Sequence, residues 1–507
     1  MHWTCLATCV VAAGQTILGN DAINIALAAL HGSESLVVHP LIAEAWEGLL
    51  LSNPARFNEL ISPFPKNGEP LEVKQHNEFS VFASPRYSGY SLRYKDPSQL
   101  GVDSVGQASG YIDLLDEDKH FFFWMFESRN DPETDPVVLW INGGPGCSSS
   151  TGQFFELGPS KLREDLTLER NPYSWNNNAT IIFLDQPVNV GFSYSKNRVK
   201  TSAMGAKDVY SFLELFFEAF PKFSELPFHI SGESYAGHYL PAIGNEILDH
   251  PERNFNFTSV LIGNGITDLT HQADAQISMA CGMGGYEAVL NVTQCEELYE
   301  MLPACLTVAN ICDASQEKVA CVIANEVCSE LKQPYYATGR NSYDVRDVCF
   351  DKCYIQEKWT ALYLNQTHVK NAIGAEPLEF VGCSSTVFED YISSGDRGFS
   401  MKKQVSRLLD YGIPVLIYLG DKDFNCNWLG NQYWTNKLEW SRQTEFESLP
   451  LHPWYFEGNI AGETKNVGPF TFLRIYDAGH MVPYNKPRES LEFFNHWLSG
   501  NHRFAPF

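Results

Sequence analysis

The pattern of apolar and polar positions changes near residue 92. From about residue 21 to residue 91 the apolar side chains show scattered helical periodicity and no dense strand signal. Beyond that point short, continuous apolar runs recur, as is typical of strands buried on both faces of a mostly parallel sheet. The runs that predict strands are His120–Glu127, Val137–Asn142, Thr180–Asp185, Phe228–Ser231, Ser259–Gly263, Val415–Gly420 and Phe470–Tyr476.

Amphipathic segments lie between these runs, and strands that alternate with helices indicate an α/β protein. The predicted helices are Ala203–Phe220, which Pro221 ends, Tyr235–His250 and Arg488–Leu498. A cysteine-rich stretch of short polar segments interrupts the alternation. The predicted domains are therefore a first core part at 95–267, a cap or insertion at 268–400 and a second core part at 401–507.

The beginning of the chain has the features of processed segments. An apolar stretch, Leu6–Ala13, predicts a signal peptide at 1–18, although no Lys or Arg precedes it. Residues 19–94 are predicted to be a propeptide that is cut near Arg93–Lys95, and the alternative is an attached helical domain. No later run reaches the ~18 apolar residues that a transmembrane helix needs, so no membrane span is predicted.

The net charge of the chain argues against one class of binding partner. The 507 residues carry a net charge of −25. A nucleic-acid partner would require clustered Lys and Arg, so none is expected. The acidity serves solubility and suits an acidic compartment. The hydrophobic content of 44% is that of an ordinary globular enzyme.

Cysteine usage points to the secretory pathway. Eight cysteines lie between Cys281 and Cys353, which predicts a disulfide-stapled subdomain. Zinc is the alternative, but the cluster has no CxxC pair and no neighbouring histidines, so no metal is predicted. Four sequons predict N-glycosylation, at Asn178, Asn256, Asn291 and Asn365.

Ser234 is the candidate nucleophile. It lies between the strand at Phe228 and the helix that starts at Tyr235. A nucleophile elbow needs small residues two positions before and after the serine, and Gly232 and Ala236 meet that need. An ordinary turn is the alternative.

A glycine-rich loop follows the Val137–Asn142 strand upstream of the serine. In α/β hydrolases such a loop supplies one oxyanion donor, and the residue after the nucleophile supplies the other. The sequence therefore predicts that the backbone amides of Gly144 and Tyr235 form the oxyanion hole. A simple tight turn is the alternative.

The acid and the base of a triad would follow the serine in the order Asp, then His, each after a strand. Asp421 and Asp423 both follow the strand that ends at Gly420, and spacing does not choose between them. His480 follows the last predicted strand and is the candidate base. The alternatives are a surface turn and a structural histidine.

These motifs resemble those of the serine carboxypeptidases, and within them the fungal vacuolar carboxypeptidase Y group, from about Lys95 to Gly500. Blocks that carry the resemblance include WINGGPGCSS, FFELGPS, HISGESYAGHYLP, GDKDFNCNWLGN and DAGHMVP. The resemblance implies an α/β-hydrolase fold with a disulfide-rich cap and an N-terminal propeptide. It also implies Asp423 as the catalytic aspartate, no cofactor, peptide and protein C-termini as substrates, and vacuolar delivery.

The resemblance also implies how the free C-terminus of a substrate is held. Asn142, Gly143, Glu156 and Glu233 occupy the family's carboxylate-binding positions. A glutamate beside another carboxylate has a raised pKa and can donate a hydrogen bond while it is protonated. We therefore expect activity to be favoured at acid pH.

Further expectations concern the cysteines and the pocket for the residue before the scissile bond. Cys426 should be a free thiol near the site, and Met481 and Tyr235 should keep the pocket apolar, whereas Asn425 departs from the expected aliphatic residue. The Cys349–Cys353 loop is short. The implied disulfides are Cys147–Cys383, Cys281–Cys295, Cys305–Cys328, Cys312–Cys321 and Cys349–Cys353.

Two other functions remain open from the sequence. Some relatives of this fold transfer acyl groups, so an acyltransferase is one alternative. A catalytically silent partner that stabilises another protein is the second.

Overall fold

The computed structural model describes residues 79–349 and 353–504. The predicted signal peptide and most of the predicted propeptide lie outside these residues. The strands within them are β1 (Ser80–Ala83), β2 (Tyr90–Lys95), β3 (Gln107–Leu114), β4 (Lys119–Phe126), β5 (Val137–Ile141), β6 (Ser160–Leu162), β7 (Leu168–Arg170), β8 (Thr180–Leu184), β9 (Tyr194–Ser195), β10 (Pro227–Glu233), β11 (Asn256–Gly263), β12 (Val415–Gly420), β13 (His452–Phe456), β14 (Asn459–Val467) and β15 (Phe470–Ile475).

The α-helices of the described residues surround the strands. They are α1 (Ser202–Ala219), α2 (Ala236–Asp249), α3 (Leu269–Ala280), α4 (Val292–Ser315), α5 (Lys318–Ser329), α6 (Gln333–Tyr336), α7 (Ile355–Leu364), α8 (Thr367–Ile373), α9 (Ser385–Ser394), α10 (Lys402–Asp410), α11 (Trp428–Asn436), α12 (Gln443–Ser448), α13 (Val482–Asn485) and α14 (Pro487–Leu498). None of the helices in the described ranges has the length and apolar character that a membrane span requires.

One large sheet has the order β1-β2-β3-β4-β8-β5-β10-β11-β12-β15-β14-β13, with β9 paired to β4. Its centre, from β8 to β15, is parallel, and both flanks are antiparallel. The predicted α/β class is confirmed, and each predicted strand is present. Of the flanking strands only β4 was predicted, because the others mix buried with more exposed positions or carry a glycine, as β3 does at Gly110.

Both faces of the central strands are buried, which explains their continuous apolar sequences. In β5, Leu139 and Ile141 belong to the core on one face, which α1, α2 and α10 cover. Val138 and Trp140 belong to the core on the other face, which includes residues of α14. Successive side chains of a strand point to opposite faces, so both sets must be apolar.

The cap between 268 and 400 is helical, whereas the sequence suggested short polar segments. Its helices α3, α4 and α5 share an apolar core that includes the disulfide cysteines. The structure contains five disulfides, and they are the pairs that the family resemblance implies: Cys147–Cys383, Cys281–Cys295, Cys305–Cys328, Cys312–Cys321 and Cys349–Cys353.

The boundary predicted between residues 94 and 95 falls inside β2. This strand pairs with β1 on one side and with β3 on the other. The large sheet therefore begins by Ser80, before the predicted start of the core. The sequence of β2 alternates polar and apolar residues over only six positions, which is why it gave no strand signal.

The sequons differ in accessibility. Asn256 and Asn291 are exposed, and Asn178 is half-buried. The amide nitrogen of Asn365, where a glycan would attach, donates to the carbonyl of Ala361 at 3.0 Å. The Asn365 amide is thus already engaged, whereas the Asn256 side chain is exposed.

A buried ion-pair network ties β2 to the rest of the sheet. The Arg93 guanidinium donates to Asp113 of β3 at 2.9 Å and to Glu376 at 3.1 Å. His120 also contacts Asp113. Burial opposes ionisation of Asp113, but His120 and Arg93 outweigh it and lower its pKa.

Arg93→Met should destabilise the fold by about 3–5 kcal/mol, because it leaves two buried carboxylates without their cation. Urea unfolding measures the effect. Arg163→Met is the matched control, since Arg163 and its partner Glu169 are 60% and 56% exposed and such pairs contribute less than about 1 kcal/mol. Equal stability of the two variants would show that the network does not hold β2.

Candidate active site

The candidate catalytic residues follow three strands of the parallel centre. Ser234 follows β10, Asp423 follows β12 and His480 follows β15. In the sheet these strands are close together, since only β11 separates β10 from β12 and β12 pairs directly with β15. Loops at the carboxyl ends of parallel strands meet at one edge, which is where such sheets carry their sites.

Ser234 has a left-handed backbone, with φ of 64°. Its N–H donates to the carbonyl of Gly263 at 3.0 Å, and its own carbonyl accepts from the N–H of Ile266 at 2.8 Å. A Cβ on Gly232 would lie 2.2 Å from the carbonyl oxygen of Ile141 and 2.8 Å from Cβ of Ala236. The turn therefore requires small residues at both predicted positions, and it holds the serine in a conformation that non-glycine residues seldom adopt.

His480 is joined to Asp423 rather than to Asp421. Its Nδ1 lies 2.7 Å from Oδ2 of Asp423, and both residues are buried. Asp421 instead accepts from Lys422 Nζ at 2.7 Å and from the N–H of Asp477 at 2.8 Å. Burial alone would lower the pKa of His480, but the neighbouring Asp423 and Cys426 raise it well above its usual value.

Asn264 is a site residue that sequence reasoning missed. Its amide nitrogen donates to Oδ2 of Asp423 at 3.0 Å, and its amide oxygen accepts from the N–H of Gly420 at 2.9 Å. It directly follows β11, the strand between those of the serine and the aspartate. A polar side chain after a buried strand at the carboxyl edge is the signal that could have identified it.

The two amides predicted to hold an oxyanion lie beside the serine. A Cβ on Gly143 would lie 2.3 Å from the amide nitrogen of Tyr235 and 2.7 Å from Cβ of Ser234, so the loop backbone passes directly against the elbow. Gly144 has φ of 112°, which favours glycine. In the described part of the chain, neither the Gly144 nor the Tyr235 N–H donates to a protein acceptor.

Two buried glutamates flank one asparagine next to the elbow. The amide nitrogen of Asn142 donates to Glu156 at 3.3 Å and to Glu233 at 3.2 Å. Burial raises the pKa of Glu156 to about 7, and burial together with the Glu156 charge raises that of Glu233 well above its usual value. The second oxygen of each carboxyl is buried without a hydrogen-bond partner in the structure.

Neighbouring donors set the orientation of the Asn142 amide. Trp140 Nε1 donates to its oxygen at 2.8 Å, and the N–H of Gly152 donates to the same oxygen at 2.9 Å. The NH₂ group therefore faces the glutamates. Glu156 reaches this place on a short π-helix, Gly152–Glu156, and Glu233 ends β10 directly before the nucleophile.

Cys426 is a free, buried thiol, and burial raises its pKa. Its Sγ, a ring nitrogen of His480 and a carboxylate oxygen of Asp423 lie within 4.8 Å of one another, and within the described ranges they form a potential metal-ligand group. The donors fit a metal poorly, because the Asp423 oxygen already accepts from His480, Asn264 and the N–H of Cys426.

Met481 packs with Phe155 and Tyr354, whereas Tyr235 and Cys426 belong to a different apolar cluster. The place of Met481 in the pocket stays a prediction. The Oδ1 of Asn425 is buried without a hydrogen-bond partner in the described structure.

Comparison with known proteins gives one consistent result. A family model described as serine carboxypeptidase matches residues 97–500. Carboxypeptidase Y of Candida albicans is 48% identical over 92% of this chain and 86% of that protein. The vacuolar serine-type carboxypeptidase ATG42 of Saccharomyces cerevisiae is 50% identical over 86% of this chain and 88% of that protein.

The fold agrees with a solved structure of more distant sequence. The crystal structure of Kex1, a prohormone-processing carboxypeptidase from Saccharomyces cerevisiae, superposes with a TM-score of 0.71 at 23% identity, covering 80% of this chain and 96% of that one. The predicted α/β-hydrolase fold is thereby confirmed. With the family model and the close relatives, this shows that the chain belongs to the serine carboxypeptidase family and is a hydrolase of that kind.

Proposed function

We propose that the enzyme releases single residues from the free C-termini of peptides and proteins, with Ser234 as nucleophile, His480 as general base and Asp423 as its partner. The observation that carries this proposal is the pair of buried glutamates beside the elbow, bridged by Asn142. A peptidase that cuts inside chains has no use for a carboxylate-binding group one residue from its nucleophile. A carboxypeptidase requires one.

The proposed chemistry uses the residues at the strand ends. The Ser234 hydroxyl attacks the scissile carbonyl carbon while its proton passes to Nε2 of His480, and the N–H groups of Gly144 and Tyr235 hold the oxyanion. His480 then returns the proton to the leaving amine, the C–N bond breaks, and an acyl-enzyme remains. Water attacks the ester by the same route, and Ser234 regains its proton. Asp423 keeps the imidazole in the required tautomer and stabilises its positive charge.

The glutamates make binding of the free C-terminus depend on pH. Below about pH 7 Glu156 is protonated, so it can donate a hydrogen bond to the substrate carboxylate. As the pH rises through that pKa, the glutamate ionises and repels the substrate. Preference for a free C-terminus should therefore be present at acid pH and be lost at alkaline pH.

The ratio of kcat/KM for a peptide and its C-terminal amide tests this proposal. For the wild type the ratio should exceed one at acid pH and fall by up to about tenfold per pH unit above pH 7. In Glu156→Gln the fall should be smaller, because glutamine does not ionise. Exposed Glu169→Gln is the control, and Ser234→Ala should cleave neither peptide. Equal rates on peptide and amide at every pH would refute the carboxylate site.

Asn264 is proposed as a positioning residue that orients Asp423. Asn264→Ala removes a hydrogen bond to a buried carboxylate, so kcat/KM should fall by about 10- to 100-fold, with the loss in kcat and little change in KM. The rate of Ser234 labelling by a fluorophosphonate should fall in parallel. Asn245→Ala is the matched control, because that amide also donates to two acceptors, the carbonyls of Pro241 and Gln404, but lies on α2. An unchanged kcat would contradict the role.

We also propose passage through the secretory pathway to the vacuole. The relatives include a vacuolar carboxypeptidase of Saccharomyces cerevisiae. The structure holds five disulfides, which persist in oxidising compartments. The protein should co-fractionate with a vacuolar marker enzyme, and recovery with cytosolic markers would contradict this location.

A further inference from the structure

Two cations of the cap have no counter-ion. Lys332 ends a short 3-10 helix, Glu330–Lys332, and is only 8% exposed. Arg397 lies in the turn Asp396–Gly398, with its guanidinium 5.9 Å from the centre of the Phe388 ring. Among the described residues, neither cation forms an ion pair or a side-chain hydrogen bond. A buried ammonium without a partner is costly, and proteins seldom keep one without a use for it.

The turn that carries Arg397 is fixed to the nucleophile elbow. The hydroxyl of Tyr235 donates to Asp396 at 2.7 Å, and the hydroxyl of Ser202 donates to the same carboxylate at 2.6 Å. His238 of α2 contacts the carbonyl of Phe399 at 3.0 Å. Asp396 is thus engaged by other donors and leaves the guanidinium next to it unpaired.

Lys332 is connected to the loop of Asp423 through the nearby Tyr335. Tyr335, one turn further along the chain, stacks on Phe424 with ring centres 3.6 Å apart, and Phe424 directly follows the catalytic aspartate. Burial lowers the pKa of Lys332 to about 7, and the strongest influences after burial are Arg397 and Cys426. Each cation thus lies on a segment that contacts the site, through the Tyr335–Phe424 stack or the Tyr235–Asp396 hydrogen bond, and the Cys426 thiol is within 4.8 Å of ligand atoms of His480 and Asp423.

This region lies away from the carboxylate-binding glutamates. Glu156 follows Phe155, which packs with Met481 and Tyr354, whereas Arg397 follows Asp396, which accepts a hydrogen bond from Tyr235. The glutamates hold the residue that leaves, so the opposite side of His480 receives the residue that precedes the scissile bond. Tyr235 and Cys426 belong to one apolar cluster, and Met481 belongs to another.

We propose that Lys332 and Arg397 line the pocket for the side chain that precedes the scissile bond, and that this pocket selects an acidic residue, glutamate or aspartate. The proposal rests on the function proposed above. A substrate carboxylate supplies the counter-charge that the cap lacks, and it forms charge-assisted hydrogen bonds with one or both cations. An apolar side chain would leave both cations unpaired in a pocket closed by the substrate.

Blocked dipeptides with the same free C-terminal residue and glutamate, glutamine or leucine before the scissile bond test the proposal. Near pH 6 a glutamate side chain is ionised and Lys332 still carries its proton. The wild type should cleave the glutamate peptide with a kcat/KM about tenfold or more above that of its glutamine isostere. Lys332→Met and Arg397→Met should each reduce that ratio toward one, and they should retain or improve cleavage of the leucine peptide.

Two further variants make the result specific. Arg397→Glu should reverse the preference, so that a lysine before the scissile bond is cleaved faster than glutamate. Lys161→Met is the matched control, since this cation lies near Glu156 on the other side of the nucleophile and should leave the glutamate-to-glutamine ratio unchanged. Labelling of Ser234 by a fluorophosphonate verifies that each variant is folded.

The outcomes separate this proposal from the one on which it rests. If the wild type cleaves glutamate and glutamine peptides equally, or if the ratio persists in both methionine variants, the cationic pocket is refuted while the need for a free C-terminus can stand. If amidated peptides are cleaved as fast as free ones, the carboxylate site is refuted. The substrate orientation on which the cationic pocket depends is then refuted with it.

Discussion

The site depends on one constraint, which is that β5, β10, β11, β12 and β15 run parallel and side by side. Their carboxyl ends form a single edge, and each supplies one part of the site: the glycine loop, Ser234, Asn264, Asp423 and His480. Backbone bonds lock neighbouring ends together, since Ser234 N–H donates to Gly263, at the end of β11, at 3.0 Å and Asn264 N–H donates to Tyr418 of β12 at 2.9 Å. A shift in the register of one strand would separate groups that must meet within hydrogen-bond distance.

The sequence predicted the parts of the fold that are buried on both sides. Val415–Gly420 has identical bounds in sequence and structure because all six of its residues are buried and its apolar run is uninterrupted. The flanking strands other than β4 escaped prediction because their sequences mix buried with more exposed positions or carry a glycine. At the site, Ser234 and His480 stood out by following strands, but Asp421 and Asp423 are two residues apart and share that context. Only the three-dimensional position of His480 relative to each aspartate distinguishes them.

Electrostatics explain why groups that favour a charge and groups that favour the neutral form lie close together in the site. Burial disfavours every charge here, so each group keeps or loses its charge according to its neighbour. Asp423 accepts hydrogen bonds from three backbone or amide N–H groups besides His480, and these bonds stabilise charge on the Asp423–His480 pair. Glu156 and Glu233 share the Asn142 amide, and burial raises the pKa of both, with the Glu156 charge adding to the effect on Glu233. One site thus holds an imidazole whose charge Asp423 stabilises and two carboxyls whose ionisation burial opposes.

The core carries the residues that we assign to catalysis, and the cap carries those that we propose to select the substrate side chain. Ser234, His480 and Asn142, to which we assign catalysis and carboxylate binding, follow core strands, whereas Lys332 and Arg397 come from cap segments. The Cys147–Cys383 disulfide joins the glycine loop to the chain that leads into α9. The turn Asp396–Gly398 follows α9 and is bonded to Tyr235, so in the proposed pocket a change at Arg397 alters what the substrate side chain meets, while Ser234, Asp423 and His480 keep their places after the core strands. Substrate preference can therefore diverge in this family without disturbing the strands that carry catalysis.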